Sequence, residues 1–410
     1  MKKSLPKALF DNLTYIKNRK YYLNMKHVKN KSDYIHAHSF LWSYRDSIDT
    51  FNAYRREIER LLQWSWLIAK KPLPKITKNS FEKYIQFCKN PLKSWIGLYR
   101  APRFITLQGQ RVPNQKWRPF VVTLPKKKFA KIRKMNKSQY KLSRQSLKEI
   151  FAINQSFYNY LLDQRAVSIN PIAQIRQKTK YLPKKIHRKV VRKLSDLQWS
   201  FVIETAETMA QESLEHERLL FIMNMLYSLY LRISELTVTY RSEPQMRDFY
   251  KDHDGGWWFR TIGKGNKERS IPVSDALLKA LKRYRKTLDL SALPSPQEDI
   301  PLLPKQRGRG AITSTKIIRN MVQLCFNKTI ERLEVEGFNE EAEALKSATV
   351  HWLRHTGISN DVKFRPREHV RDDAGHSSSA ITDQYIDVEL RERYLSAKNK
   401  RIKGSVKNFV

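Results

Sequence analysis

Apolar residues recur at helical spacing in the first third of the chain. In the stretch 47–64 they stand three or four positions apart, at Phe51, Tyr54, Ile58, Leu61 and Leu62. The same spacing returns at about 144–164, and a further helix is predicted after Thr77. The segment 95–125 is rich in proline and aromatic residues, which favours irregular chain or short strands. We therefore predict a mainly helical domain over 36–171.

The second half of the chain begins with helical signals and then changes period. Ser195 caps one predicted helix, and a long apolar helix is predicted over about 216–239. Residues 257–262 and 269–273 have the pattern of strands, with a glycine-bounded turn between them. This pattern predicts a β-hairpin with Lys264 at its tip.

Helices are predicted for most of the remaining chain. They fall at about 274–287, 313–334, 339–346, 351–361, 378–386 and 388–399. Residues 240–253 and 290–312 are expected to be loop insertions. The predicted fold class is mainly α with a small β-sheet, in which the helical domain is followed by an α+β catalytic domain over 195–387 and a tail helix within 388–410.

The charge of the chain adds the expectation of a polyanionic partner. Its 410 residues include 79 Lys and Arg against 39 Asp and Glu, which gives a net charge of +40. Such a field attracts nucleic acid, although a ribosomal or chromatin protein can show the same balance. A hydrophobic content of 40% with nine Trp is enough for packed cores and excludes a disordered basic tail.

Three basic segments concentrate this charge. Residues 1–35 hold nine Lys and Arg against two acids, and either a flexible arm or a small DNA-contacting module fits them. Residues 126–148 hold ten Lys and Arg and residues 172–194 hold nine, both without an acid. A solvated face explains many such runs, but the lack of counter-charges favours contact with phosphate. We predict that 172–194 is an extended linker between two domains.

Several classes of protein are disfavoured by what the sequence lacks. No run of about 18 apolar residues predicts a membrane span, and the basic N-terminus has no apolar stretch typical of a secretion signal. Cys88 and Cys325 lie far apart, which argues against a disulfide framework or a metal-ligand cluster. We interpret them as reduced core residues of a cytoplasmic protein, and we expect no metal and no cofactor.

Two motifs carry residues suited to breaking a phosphodiester without a metal. Such cleavage needs guanidinium groups on the non-bridging oxygens, a nucleophile with a base, and a proton for the departing 5′-oxygen. Arg232 stands late in the predicted long helix, and Glu235 on the same face can orient it. Lys264 at a hairpin tip can reach a leaving oxygen. Taken singly, a surface ion pair and an exposed turn lysine are the commoner explanations.

Two further motifs lie nearer the C-terminus. His351 and Arg354 project from one helical turn, and an imidazole near neutral pH can take a tyrosine proton. His376 and Tyr385 stand nine positions apart, so that a short turn and helix can bring both to one pocket. A core histidine and a half-buried structural tyrosine are the ordinary explanations of such residues. A metal site is disfavoured, because no Cys, His or Asp cluster has ligand spacing.

Together and in this order, the motifs resemble those of the tyrosine recombinase, or phage integrase, family. The family has Leu-Arg-x-x-Glu, a Gly-Lys-Gly hairpin followed by Arg-x-x-Pro, His-x-Leu-Arg-His, and Gly-His with a Tyr nine residues later. The chain has Leu231-Arg-Ile-Ser-Glu, Gly263-Lys-Gly-Asn-Lys-Glu-Arg-Ser-Ile-Pro, His351-Trp-Leu-Arg-His, and Gly375-His followed by Tyr385. The resemblance covers about 195–390 well and 36–170 more loosely.

The resemblance implies a role for each motif residue. Tyr385 would attack the phosphate and form a 3′-phosphotyrosine. Arg232 and Arg354 would bind the non-bridging oxygens, and Lys264 would protonate the leaving 5′-oxygen. His351 is implied to be the acid or base near the nucleophile. His376 is implied to donate to the phosphate, and Glu235 to support an arginine.

The chain also departs from the family pattern. Tyr230 stands where glycine usually precedes Leu-Arg, and Ala374 where leucine usually precedes Gly-His. The stretch 361–373 is far more charged than the apolar helix that the family usually has there, and it contains Pro366. These differences concern the packing near His376.

The resemblance implies a clamp of the two domains on double-stranded DNA. Two recombining sites imply a homo-tetramer, with the tail 388–410 docked on a neighbouring subunit and with accessory DNA-bending or directionality proteins as further partners. A type IB topoisomerase uses the same chemistry without synapsis and is one alternative. Another is a non-enzymatic accessory DNA-binding protein, but no motif residue is missing. A metal-dependent transposase would need an acidic triad that the sequence does not offer.

Overall fold

The computed structural model describes residues 5–18, 22, 25–123, 136–177, 192–263, 265–376, 378, 382 and 398. The chain divides into two compact units, residues 1–187 and 188–410, each with its own apolar core. Lys264 and Tyr385 lie outside the described residues. So do nearly all of the two C-terminal helices predicted at 378–386 and 388–399, and much of the basic segments 126–148 and 172–194.

Six α-helices form most of the described part of the first unit. They are α1 (Leu13–Ile16), α2 (Lys31–Trp42), α3 (Ile48–Trp64), α4 (Lys78–Lys89), α5 (Arg144–Asp163) and α6 (Pro171–Gln177). The side chain of Thr77 accepts a hydrogen bond from the backbone N–H of Ser80, so it caps α4. Ser143 caps α5 in the same way. The three helices predicted in this region are confirmed.

Short strands occupy the proline-rich segment between α4 and α5. Strand β1 (Ile96–Gly97) pairs in parallel with β4 (Phe120–Val121). Strand β2 (Phe104–Leu107) forms an antiparallel hairpin with β3 (Gln110–Pro113). The prediction of irregular chain or short strands at 95–125 is therefore confirmed.

Part of the basic N-terminal segment packs inside the first unit. Ala8, Leu9 and Phe10 are buried. The backbone N–H of Leu9 donates to Oε1 of the buried Glu59 at 2.5 Å, and Arg111 donates two hydrogen bonds to the carboxylate of Asp11 at 2.9 Å each. Ala8, Leu9 and Phe10 join the core because the burial of apolar side chains is favourable, although the segment around them is basic.

Seven α-helices and one three-stranded sheet form most of the described part of the second unit. The helices are α7 (Asp196–Glu212), α8 (Glu217–Ser228), α9 (Asp275–Lys286), α10 (Thr315–Val335), α11 (Asn339–Leu345), α12 (Val350–Asp361) and α13 (Arg367–Ala374). The antiparallel sheet has the order β5 (Phe249–Lys251), β6 (Trp257–Ile262) and β7 (Glu268–Pro272). The predicted hairpin is confirmed, and so is the fold class, mainly α with small sheets. The expectation of a loop over 240–253 is wrong at β5. This strand has only three residues, too few to show the alternation of apolar and polar residues that predicts a strand.

The long helix predicted over 216–239 is wrong in its length. Helix α8 ends at Ser228, and Tyr230 has a left-handed φ of +49°, which an α-helix does not contain. The chain then enters a 3₁₀ turn at Ile233–Leu236. The spacing of apolar residues predicted a longer helix because the apolar residues beyond the helix end are buried as well. They are Leu229, Leu231 and Leu236.

Helix α8 lies within the second core and packs against α7, α9 and α12. Its contact with α12 is very close. A Cβ atom at Gly357 would lie 2.1 Å from the carbonyl oxygen of Tyr227, so only glycine lets the two backbones approach in this way. The contact places Arg354, one turn earlier on α12, beside the end of α8.

The two cysteines are buried thiols without a disulfide partner. Burial raises the pKa of Cys88 and of Cys325 to about 12 each, so neither ionises near neutral pH. Their interpretation as core residues is confirmed. Within the described ranges, no helix is long and apolar enough to cross a membrane.

Candidate active site

Arg232 stands at the start of the short 3₁₀ turn after α8. Its backbone N–H donates to Oε2 of Glu235 at 2.9 Å, and its Nη1 donates to Oε1 of the same carboxylate at 3.0 Å. The predicted pairing of these two residues is thus present. However, it arises from the cap of a 3₁₀ turn and not from one face of a long helix, because the chain leaves α8 before Tyr230.

Arg269 of β7 is a further arginine at this site. Its Nη2 donates to Oε2 of Glu235 at 2.8 Å, and its Nε donates to the carbonyl oxygen of Asp373 at 2.9 Å. Arg269 belongs to the Arg-x-x-Pro motif of the sequence, but no role was predicted for it. Since Glu235 is 34 positions away and Asp373 is 104 positions away, only the three-dimensional structure reveals these contacts.

Glu235 is the buried counter-charge of both arginines, with a side chain only 3% exposed. Burial alone would raise the pKa of Glu235, but the hydrogen bonds and charge of Arg269, together with those of Arg232, outweigh burial and lower the pKa. The carboxylate therefore stays ionised at neutral pH and fixes the position of two guanidinium groups.

Arg354 of α12 is 2% exposed and lies between two segments of the chain. Its Nη1 donates to the carbonyl oxygen of Tyr230, and its Nη2 donates to the carbonyl oxygen of Ala374 at 2.6 Å. Nη2 also lies 3.2 Å from Nε2 of His376. The side chain predicted to bind phosphate is thus held in place by backbone atoms.

Three consecutive carbonyl groups at the end of α13 each accept a hydrogen bond from a different arginine. Asp373 accepts from Arg269 at 2.9 Å, Ala374 from Arg354 at 2.6 Å, and Gly375 from Nη2 of Arg232 at 3.4 Å. The C-terminal end of a helix carries partial negative charge, which favours cations there. We call residues 373–375 the carbonyl row. It gathers three guanidinium groups that come from three distant parts of the sequence.

His376 follows the carbonyl row directly. Its Nε2 faces Arg354, which can only donate, so Nε2 accepts and the proton of the neutral ring is on Nδ1. Nδ1 then donates to Oγ1 of Thr382 at 2.9 Å. Burial and the charges of Arg354 and Arg232 lower the pKa of His376 to about 4. The ring is therefore neutral at neutral pH.

His351 lies one turn before Arg354 on α12 and is exposed. Its ring contacts that of His355 edge to face, with 4.2 Å between the ring centroids. Partial desolvation by the surrounding protein, and then the charges of Arg354 and Arg232, lower the pKa of His351. A neutral, accessible imidazole is suited to taking a proton from a nucleophile.

The turn that carries Lys264 begins against the same arginines. A Cβ atom at Gly263 would lie 2.7 Å from Nη1 of Arg269 and 3.5 Å from Nη1 of Arg232. A side chain at this position would displace the guanidinium group of Arg269, so the base of the turn touches the arginine site. Of the predicted site residues, the described part of the chain brings together Arg232, Glu235, Arg354 and His376, with His351 on the adjacent turn of α12; Lys264 and Tyr385 lie outside that part.

Comparison with known proteins shows which family this fold and site resemble. Residues 198–392 match the model of the phage integrase family. The matched residues include the whole arginine site and make up slightly less than half of the chain.

The chain is similar to curated tyrosine recombinases. It is 27% identical over 239 residues to the tyrosine recombinase XerC of Actinobacillus pleuropneumoniae, and 27% identical over 241 residues to the XerC of Pelobacter propionicus. Each match covers 58% of this chain and 66% of the relative, so it spans slightly less than two thirds of the relatives' length.

The fold is also similar to that of a solved recombinase. The structure of the XerH site-specific recombinase bound to its palindromic difH substrate, a post-cleavage complex, matches with a TM-score of 0.51. It is 13% identical, and the match covers 97% of this chain and 99% of that one. At this identity, the likeness concerns the fold alone.

Proposed function

We propose that the protein is a site-specific tyrosine recombinase that cuts and rejoins double-stranded DNA without a metal or ATP. The observation that carries the proposal is the convergence of Arg232, Arg354 and His376 on one site, together with the unpredicted Arg269. Guanidinium groups stay protonated and present paired donors, which suits them to the growing charge on the non-bridging oxygens of a phosphodiester.

In the proposed reaction, the phenol oxygen of Tyr385 attacks the phosphorus and forms a 3′-phosphotyrosine. The bond to the 5′-oxygen breaks, and this oxygen takes a proton from Lys264. His351 accepts the proton of the phenol. Because the phosphotyrosine keeps the energy of the broken phosphodiester, attack by a 5′-hydroxyl of a second strand reverses the step and needs no ATP.

The arginines supply the electrostatic part of catalysis. Arg232 and Arg354 bind the non-bridging oxygens, and Glu235 and the carbonyl row keep them aligned before the substrate arrives. Removal of one such donor typically costs about 100- to 1000-fold in rate. In the neutral ring of His376, Nε2 accepts a hydrogen bond from Arg354 and carries no proton. The proposed donation from His376 to the phosphate therefore requires a proton on Nε2.

The proposed partner is double-stranded DNA, in keeping with a net charge of +40. Phosphate contacts of this kind are lost steeply as salt is raised. We propose that two DNA sites are brought together by a homo-tetramer, that the first unit adds further DNA contacts, and that accessory DNA-bending or directionality proteins take part. The proposed location is the cytoplasm, where the protein is associated with DNA.

The test is trapping of the covalent intermediate. The probe is a library of nicked duplexes with a randomised centre, from which a cleaved strand cannot be rejoined, and sequencing of the trapped strands then reveals the site. We expect an adduct that resists detergent with wild-type protein and none with Tyr385→Phe. The matched control is Tyr240→Phe, which alters an exposed tyrosine beside Arg241 and is expected to leave the adduct unchanged.

Two outcomes would contradict the proposal. An adduct formed by Tyr385→Phe would show that another residue is the nucleophile. Relaxation of a supercoiled plasmid that lacks any recovered site would indicate a topoisomerase and not a site-specific enzyme.

A further inference from the structure

The two departures from the family pattern meet in the structure. Tyr230 replaces the usual glycine, and the charged stretch 361–373 replaces an apolar helix. The hydroxyl of Tyr230 donates to the carboxylate of Asp361, and Nη1 of Arg365 donates to the same hydroxyl at 3.0 Å. Nη2 of Arg365 donates to Oδ2 of Asp373 at 2.6 Å. We call Tyr230, Asp361, Arg365 and Asp373 the Tyr230 cluster.

The presence of tyrosine at position 230 has a structural cost that the cluster offsets. The φ of +49° is a conformation that glycine adopts freely and other residues adopt with strain. The side chain is fully buried, so its hydroxyl needs hydrogen-bond partners. Asp361 and Arg365 supply them, which gives these two charged residues of the segment a structural role.

The aromatic ring of Tyr230 fastens the same segment through apolar contacts. It forms a small core, separate from the main one, with Ile358 of α12 and with Val370 and Ala374 of α13. Ring and hydroxyl together therefore tie the end of α8 to both α12 and α13. Any change that loosens Tyr230 loosens the position of α13.

Both ends of the cluster belong to residues that hold the arginines through their backbones. The carbonyl of Tyr230 accepts from Arg354, while the carbonyl of Asp373 accepts from Arg269. The cluster links the side chains of these same two residues through Arg365. It therefore fixes the separation between the carbonyl that accepts from Arg354 and the carbonyl that accepts from Arg269.

We propose that the Tyr230 cluster positions the arginine set: by joining Tyr230 to Asp373, it sets the distance between the backbone carbonyls that align Arg354 and Arg269. These are positioning residues, since they act through the arginines. The inference rests on the proposed recombinase function for its effect on rate, but the alignment of the arginines can be measured without it.

The test compares Tyr230→Phe with wild type. The variant keeps the ring and removes only the hydroxyl. Misalignment of the guanidinium groups is expected to slow single-turnover strand cleavage by about tenfold to a hundredfold, with the affinity for duplex DNA unchanged. Tyr227→Phe is the matched control: its hydroxyl accepts from Asn360 at 3.1 Å at the same helix contact but bonds no member of the cluster, so cleavage should be unchanged.

A second readout does not require activity. Burial, and then the charges of Arg354, Arg232 and Arg269, lower the pKa of His376. If the cluster positions these arginines, Tyr230→Phe moves them and the pKa of His376 rises toward 6.5, which carbon-13 NMR of labelled histidine can follow. Assignment comes from the signal that is lost in His376→Gln.

The outcomes separate the two proposals. If wild type forms no covalent adduct, the proposed function fails, and the pKa of His376 still decides whether the cluster positions the arginines. If wild type cleaves DNA and Tyr230→Phe has the same cleavage rate and the same His376 pKa, the cluster is only structural and the inference is overturned. Asp373→Asn, which keeps the backbone carbonyl and removes the carboxylate charge that pairs with Arg365, should change both readouts in the same direction.

Discussion

Replacing Glu235 by glutamine is the sharpest test of how the arginine site is held together. The carboxylate accepts four hydrogen bonds, two from Arg232 and two from Arg269. Glutamine has nearly the same shape but has no charge, and its amide nitrogen cannot accept. At least one guanidinium group then loses its acceptor, and both lose their counter-charge.

The magnitude follows from the burial of this group. Breaking a buried ion pair by removing one partner costs about 3–5 kcal/mol. Because the side chain of Arg232 is 29% exposed and glutamine keeps one carbonyl oxygen, we expect about 2–3 kcal/mol here. For a unit of this size, the midpoint of thermal unfolding should fall by about 5–10 °C. Strand cleavage should slow by about 100-fold, because Arg232 is no longer aligned.

The effect should also depend on pH. The pKa of Glu235 is lowered below 4.5 in the folded protein, so its contribution to stability is fully present above pH 4.5 and is lost as the pH falls through the folded value. The difference in unfolding midpoint between wild type and Glu235→Gln, measured by calorimetry, should therefore be constant near neutral pH and shrink below pH 4.5.

A matched control exists on the same unit. Glu217 pairs with Arg283, whose side chain is 41% exposed, away from the arginine site. Glu217→Gln is expected to cost about 1 kcal/mol or less and to leave cleavage unchanged. If Glu235→Gln unfolds at the wild-type temperature and cleaves DNA at the wild-type rate, the idea that this carboxylate holds the arginines is wrong.

Two further predictions concern the histidine and the hairpin. Since burial and the neighbouring arginines lower the pKa of His376 to about 4, the folded ring binds fewer protons than the unfolded one between pH 4 and 6.5. The free energy of unfolding should rise with pH across this window. His376→Gln should reduce the slope of this free energy against pH, measured by denaturant titrations, and an unchanged slope would contradict the low pKa. Gly263→Ala places a Cβ atom 2.7 Å from Nη1 of Arg269, so Arg269 must shift and cleavage should fall at least tenfold. Gly109→Ala is the control for backbone strain alone: Gly109 has a left-handed φ of +76° but no atom within 4 Å of an added Cβ, so cleavage should be unchanged. Equal rates for the two variants would show that the base of the turn does not position the arginines.

Much of the fold could be predicted because its signals are local. Thr77, Ser143 and Ser195 each cap a helix that begins at the next residue. The glycine-bounded turn after Ile262 likewise indicated the β6–β7 hairpin. Each of these features depends on residues within a few positions of one another, which is the range that periodicity and capping rules cover.

What could not be predicted depends on contacts between distant residues. The end of α8 is set by the left-handed Tyr230, whose partners Asp361 and Arg365 are 131 and 135 positions away. The place of Arg269 is set by Asp373, 104 positions away. The role of Asp361 and Arg365 in the charged stretch before His376 could not be predicted, because their shared partner is a tyrosine that the sequence alone does not show to be buried.

The carbonyl row has a consequence for how this chain can change over evolutionary time. Its three acceptors are consecutive backbone atoms, so their positions depend on the register of the helix that carries them. Inserting or deleting one residue within α13 would rotate the following carbonyls by about 100° around the helix axis, and all three arginines would lose their acceptors together. The segment is therefore intolerant of any change in length.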